Sequence, residues 1–328
     1  MADRPGEFEI IAGYFRPLAE GNPGALDLAD DAAILEPSPG NSFVVTTDTL
    51  IAGVHFFADD SPDLIARKLL RVNLSDLAAM GARPVTYLMA LALPEDVDEA
   101  WIAKFCEGLT IDQKQFGVWL SGGDTTATPG PATLTITALG EAPKDRVLLR
   151  SSAQADDAIL VSGTIGDAAL GLRVRRGTLP GLAAADREFL VSRYDLPQPR
   201  VELGIALREL AHAAIDVSDG LVADLGHICE TSRLGAVIDW PRIPLSPAAR
   251  RVLATEPALR DTVLGGGDDY ELLFTAPRGA VNAIVKAAAD CAVAVTEIGT
   301  MAAGPGMPRV MDERGREIAL GQTGYRHF

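Results

Sequence analysis

Short apolar runs that each carry an aspartate at their carboxy-terminal side limit the fold of this chain more than any other feature. Three of them are Val44-Val45-Thr46-Thr47-Asp48, Val118-Trp119-Leu120-Ser121-Gly122-Gly123-Asp124 and Ala214-Ile215-Asp216-Val217-Ser218-Asp219-Gly220. Each reads as a strand that delivers a carboxylate to a turn. Strand ends in α/β proteins share one edge of a sheet, so separate turns of this kind bring several carboxylates into one crevice. Crowded carboxylates repel unless hard cations lie among them, and carboxylate oxygens suit Mg2+, which in turn binds phosphates. The pattern points to metal-dependent phosphate chemistry.

With 328 residues, 48% hydrophobic and 23% charged, the chain holds enough apolar material for about two globular domains. The formal net charge of −16 argues against nucleic acid or anionic membrane as a partner, because both are repelled at long range. An anionic substrate must then arrive with cations. Residues Met1 to Glu7 lack the basic and apolar regions of a signal peptide, and no apolar run approaches about 18 residues. A soluble, cytoplasmic protein is the expectation. Cys106, Cys229 and Cys291 are odd in number and far apart, without a C-x-x-C pair, so they support neither a disulfide framework nor a structural zinc site. Buried thiols are expected.

The spacing of Phe8, Ile11, Phe15 and Leu18 predicts a helix over residues 7–20, ended by Gly21-Asn22-Pro23-Gly24. Strands are expected near residues 32–36, 43–47 and 85–93. Arg67 to Met80 reads as a helix with apolar Leu69, Leu70, Leu74 and Leu77, stopped by Gly81 before Pro84. Thr133 to Leu139 alternates as a half-buried strand does. Ala158 to Ser162 is a further strand, followed by a glycine turn and a helix from about Asp167 to Arg176. The stretch from Arg175 to Pro199, with Gly177, Pro180, Gly181, Pro197 and Pro199, reads as an excursion or lid. Two α/β halves, 1–150 and 151–328, fit this order of elements.

Lys68, Lys104, Lys114, Lys144 and Lys286 are all the lysines, and none follows a glycine. That excludes a G-x-x-x-x-G-K-[ST] phosphate loop, and no H-R-D or D-F-G points to protein-kinase machinery. Gly163-Thr164-Ile165-Gly166 has the form of a phosphate cradle, but a structural turn is the better reading of a lone glycine pair. A single aspartate is more often a helix cap or turn residue than a ligand. Here Asp31, Asp48, Asp76, Asp124, Asp216 and Asp219 all have small or hydroxyl neighbours, which favours a crowded oxygen-ligand site. Thr46 and Thr47 either add hydroxyl or carbonyl ligands or are ordinary β-branched strand residues. Asp76 lies inside a helix, where aspartate is mildly unfavourable, so another use is indicated. His55, beside Phe56 and Phe57, reads first as a packed, hydrogen-bonded histidine, since no H-E-x-x-H supports zinc. Arg150 is either a surface charge or a fork for phosphate oxygens. Gly265-Gly266-Gly267-Asp268-Asp269-Tyr270-Glu271 is either a tight turn or the wall of an organic-ligand pocket.

Thr46-Thr47-Asp48-Thr49-Leu50, Val72 to Ala82, Gly122 to Thr126, Asp216 to Leu221, Asp269 to Leu272 and the terminal Tyr325 to Phe328 occur in an order that resembles the thiamine-monophosphate kinases. These belong to the aminoimidazole-ribonucleotide-synthetase-like superfamily, and the resemblance spans essentially the whole chain. It implies two α/β domains of α+β type, mixed sheets with helices packed on them. An amino-terminal ATP- and metal-binding half would dimerise through its sheet, and a carboxy-terminal half would complete the site. It implies transfer of the ATP γ-phosphoryl group to thiamine monophosphate with several Mg2+ ions. Position by position, it makes Asp31, Thr46, Thr47, Asp48, Asp76, Asp124, Asp216 and Asp219 the metal shell. Gly123, Asp124, Arg150 and Ser218 would contact ATP, and His55 and Asp268 the thiamine substrate. Three departures stand out: Ala29 replaces a usual glycine, Asp268 a usual glutamate, and Gln322 and Thr323 stand where an aromatic residue is common.

The expected chemistry is direct in-line transfer, with no side chain acting as covalent nucleophile. Two unit charges about 4 Å apart interact by roughly 4 kcal/mol at an effective dielectric near 20, so joining two polyanions in an acidic cleft requires cations. The rival chemistry is an aspartyl-phosphate intermediate. The rival functions are another ATP-dependent enzyme of the superfamily and a non-catalytic metal- or nucleotide-binding protein. Selenophosphate formation and hydrogenase maturation fit poorly, because the first cysteine is Cys106 and the chain ends in Phe328.

Overall fold

The computed structural model describes residues 6–321 together with Gly324 and Tyr325, so Gln322, Thr323 and the terminal Arg326 to Phe328 lie outside the described residues. The chain divides into two units. The first runs to Leu77 and resumes from Ala82 to Asp145, and the second takes Ala78–Gly81 and the chain from Arg146 onward. No helix among the described residues is long and apolar enough to cross a membrane.

In the first unit, helical turns α1 (Glu7–Ile10) and α2 (Arg16–Ala19) flank a π-helical turn over Ile11–Phe15. Pro17 accounts for the wide turn: it lacks the N–H that would bond four residues back, and its ring crowds that carbonyl. The expected strand at residues 32–36 is absent. Ile34 N–H donates instead to Gly24 O at 2.9 Å, which folds the segment back on the turn before it.

Next come β1 (Asn41–Ile51), α3 (Pro62–Ala79), β2 (Arg83–Leu93), α4 (Glu99–Phe116), β3 (Trp119–Ala127) and β4 (Thr133–Pro143). The sheet order is β1-β4-β2-β3, with β2 and β3 parallel and the other pairs antiparallel. On α3 the predicted apolar stripe of Leu69, Leu70, Leu74 and Leu77 is fully buried. Asp112 of α4 ties the two helices together, accepting from Arg71 Nε at 2.6 Å and Arg67 Nε at 3.0 Å. The other sheet face is open, with Val45 59% and Leu88 38% exposed. Asp48 and Asp124 lie inside strands rather than at their ends. Both are in edge strands, where one side of the ladder is free and a polar residue is easily solvated, and Thr49-Leu50-Ile51 prolongs the β-branched and apolar pattern beyond Asp48.

The second unit contains β5 (Ala158–Ser162), α5 (Asp167–Arg175), α6 (Ala184–Asp195), α7 (Val201–Leu207), β6 (Ala213–Asp216), α8 (Leu221–Ser232) and β7 (Gly235–Asp239). It continues with α9 (Pro247–Thr255), α10 (Arg260–Gly265), β8 (Leu272–Ala276), α11 (Val281–Asp290), β9 (Val295–Ala302) and β10 (Pro308–Met311). Its sheet order is β10-β7-β9-β5-β8-β6, mixed like the first. β5 and β8 are buried along their whole length, and Ile159, Val161, Leu225 and Leu273 join one apolar core.

The stretch expected as a lid is part of this packed structure. α6 buries Leu190 and Tyr194, and a Cβ at Gly171 of α5 would stand 2.0 Å from Leu190 O, so the close approach of these helices needs glycine. The flanking prolines and glycines bound a helix, and the four-residue spacing of Asp186, Leu190 and Tyr194 is what faces inward. Cys106 and Cys229 are buried as expected, whereas Cys291, at the end of α11, is only partly covered.

Candidate active site

Thr46 and Asp48 are alternate residues of β1 and therefore share one sheet face. Asp76 of α3 meets them there, its Oδ2 accepting from Thr46 Oγ1. Burial, and then the neighbouring Asp76 charge, push the Asp48 carboxyl up to about 7. One turn earlier on α3, the fully buried Asn73 donates from Nδ2 to Leu69 O at 3.0 Å, while its Oδ1 has no hydrogen-bond partner. Thr46, Asp48 and Asp76 thus bring two carboxylates and a hydroxyl together where β1 faces α3.

Thr47 points to the opposite face. Its hydroxyl donates to Ile136 O at 3.2 Å and accepts from Thr137 Oγ1 at 3.1 Å, which leaves its carbonyl as the group that can serve a ligand. Asp124 is on that outer face too: it is level with Ala90, Ala90 with Thr135, and Thr135 with Thr49. Asp31, Gly123 and Asp124 line one cavity of about 700 Å³ that has Phe8, Ile11, Phe15 and Leu88 on its apolar side. The first-unit acids thus form two groups, Thr46 with Asp48 and Asp76, and Asp31 with Asp124, in place of one shell.

A Cβ at Gly123 would stand 1.8 Å from Met89 O, so this glycine is required by the parallel pairing of β2 and β3. Gly123→Ala is expected to cost about 1–3 kcal/mol through the shift it forces, read as a lower urea midpoint.

His55 follows β1 in a tight turn. Its Nδ1 accepts from Ile51 N–H at 3.1 Å, which fixes the ring as the tautomer with hydrogen on Nε2.

In the second unit, Asp216 ends β6 and is 2% exposed. The turn after it is held by Asp224, a residue the sequence reading passed over, whose Oδ2 accepts from Asp219 N–H at 3.1 Å and Gly220 N–H at 3.0 Å. Ligand atoms of Asp219, Asp224 and His227 lie within 4.8 Å of one another. Burial, then the Asp219 charge, push Asp224 up to about 7, and Arg150 is close enough to oppose the shift. Arg150 sits on a 3-10 turn whose carbonyl accepts from Ser232 Oγ of α8 at 3.0 Å. Arg150 and Asp219 therefore share a neighbourhood, with Ser218 next to Asp219 in the turn.

Asp268 joins the same turn, its N–H donating to Ser218 O at 2.9 Å. Asp268 and Tyr270 have φ of 70° and 50°, the left-handed region that costs about 1–3 kcal/mol at a non-glycine residue. The glycine turn before α5 is no phosphate cradle, because Gly166 and Ala168 N–H already donate to Asp269 Oδ2 and Oδ1 at 2.5 and 3.1 Å.

Residues 29–142 match the AIR synthase related protein N-terminal domain, and residues 154–311 match the C-terminal domain. A thiamine-monophosphate kinase of Caulobacter vibrioides is 43% identical over 326 residues, 98% of this chain and 91% of that protein. The thiamine-monophosphate kinase of Escherichia coli K12 is 43% identical over 325 residues, with 98% of each covered. The chain belongs to the thiamine-monophosphate kinase family. Its fold follows that of the family's Stenotrophomonas maltophilia member, with a TM-score of 0.82 at 43% identity, covering 93% of this chain and 98% of that one. A solved complex of AaThiL with AMPPCP and TMP superposes at a TM-score of 0.78, with 29% identity and 91% of each chain covered.

The residues present fit the divalent cation that thiamine-monophosphate kinase chemistry implies. The donors are all oxygen, and two of them are carboxylates forced together.

Proposed function

We propose that the protein phosphorylates thiamine monophosphate at the expense of ATP, giving thiamine diphosphate and ADP, as a cytoplasmic homodimer. The observation that carries this reading is the Thr46, Asp48 and Asp76 oxygen cluster in a chain matched along 98% of its length by thiamine-monophosphate kinases. In this reading residues 1–150 bind ATP and metal and residues 151–328 complete the site. The open face bearing Val45 and Leu88 supports dimerisation through the first sheet.

Asp31, Thr46, Thr47, Asp48, Asp76, Asp124, Asp216 and Asp219 hold Mg2+, with the Thr47 contribution through its carbonyl. When bound, Mg2+ neutralises the facing donor and acceptor phosphates. Gly123 and Asp124 receive ATP with Ser218, and the Arg150 guanidinium supplies a fork for its phosphate oxygens. The His55 Nε2–H donates to the acceptor, and the Asp268 carboxylate faces the cationic part of thiamine monophosphate. The acceptor phosphate is already ionised near neutral pH, so no side chain has to remove a proton, and none takes up the phosphoryl group.

ADP release is expected only when thiamine monophosphate accompanies ATP and Mg2+, with thiamine diphosphate formed in equal amount. ADP release without the acceptor, or label from γ-labelled ATP retained on the denatured protein, would defeat this reading.

A further inference from the structure

We infer that Asp269 is a positioning residue: by closing the amino terminus of α5 it holds the strained loop that aims Asp268 at the substrate. The inference rests on the proposed contact between Asp268 and thiamine monophosphate. Asp269 is 1% exposed, and its two oxygens accept from Gly166 and Ala168 N–H. α5 has no side-chain cap of its own, because Gly166, the residue just before it, offers no side chain. The Asp269 side chain, from the loop between α10 and β8, thus replaces a local cap.

Its two neighbours bear the consequence. Asp268 and Tyr270 are both left-handed, a conformation that persists only where the surroundings fix it. The main chain pins them from one side, through Asp268 N–H to Ser218 O at 2.9 Å and Tyr270 N–H to Val217 O at 2.8 Å. Asp269 pins them from the other. The Ser218 turn has a separate support in Asp224, which holds Asp219 and Gly220 without help from Asp269. Releasing Asp269 therefore disturbs Asp268 more than the residues proposed for ATP.

The test uses the full chain with Asp269→Asn, Asp269→Ala and Asp268→Ala, measuring kcat and KM for each substrate. Asp269→Ala is expected to raise KM for thiamine monophosphate about tenfold or more while KM for ATP stays within about twofold. Asp269→Asn, which keeps one acceptor oxygen, is expected to recover part of the loss. Amide exchange is expected to quicken at Gly166, Ala168 and Tyr270 in both Asp269 variants but not at Val222 or Leu225. Unchanged KM in Asp269→Ala beside a raised KM in Asp268→Ala overturns the inference and leaves the substrate contact standing. Unchanged KM in Asp268→Ala overturns the contact and the inference with it. If the alanine variant does not fold, unaltered exchange and KM in Asp269→Asn overturn the positioning role.

Discussion

Asp48→Asn is expected to lower Mg-dependent turnover about a hundred- to a thousandfold and at the same time to stabilise the metal-free protein. Both effects have one cause. Burial and the Asp76 charge raise the Asp48 carboxyl to about 7, so the folded chain keeps a proton there that the unfolded chain loses at an ordinary carboxyl value of about 4. The stabilising contribution of that retained proton is full below the unfolded value and is lost as pH rises through about 7. Asparagine removes this slope. Asp224 and Asp269, raised by burial to about 7 and about 8, slope the same way, so the informative quantity is the difference between wild type and variant. Thermal melts without metal are expected to converge near pH 4 and to separate by pH 8, with the variant more stable. Added Mg2+ is expected to stabilise wild type more at pH 8 than at pH 5, and the variant little at either. A variant with wild-type turnover would remove Asp48 from the metal shell.

Glu271→Ala is expected to cost about 3–5 kcal/mol, the largest stability loss anticipated from a single change in the second unit. The fully buried Glu271 accepts from Arg200 Nε at 2.7 Å, Arg193 Nη2 at 2.8 Å and Ser162 Oγ at 2.6 Å. Alanine would leave two largely covered guanidinium groups facing each other, 11% and 20% exposed, with no counter-charge. Glu271→Gln keeps the shape and an acceptor, so a smaller loss is expected. Urea denaturation of the three proteins checks this, and a loss below about 1 kcal/mol for alanine would mean that the pocket rehydrates.

Local periodicity made much of the fold legible. The four-leucine stripe of α3 and the alternation of β4 specify one face each, and both faces are buried where expected. Alternation also separates Thr46 and Asp48 from Thr47, although the sequence reading grouped all three. The row that carries Asp124, Ala90, Thr135 and Thr49 was beyond reach, because it depends on strand order and register among segments far apart in the chain. Residues 175–199 were misread because the prolines and glycines at their ends outweighed a modest helical pattern between them. Asp224 gave no signal in the sequence: it lies in the first turn of α8, where an aspartate is ordinary, and its hold on Asp219 and Gly220 shows only once the turn is folded.

The cap on α5 has a consequence for synthesis. Asp269 follows Gly166 by 103 residues, and Glu271 follows Ser162 by 109. On the ribosome, β5 and α5 emerge long before the side chains that complete them, whereas the first sheet has all its strands once Pro143 is made. Vectorial growth thus leaves the second unit waiting for β8, and nascent chains halted short of residue 269 are the ones that would most need a chaperone.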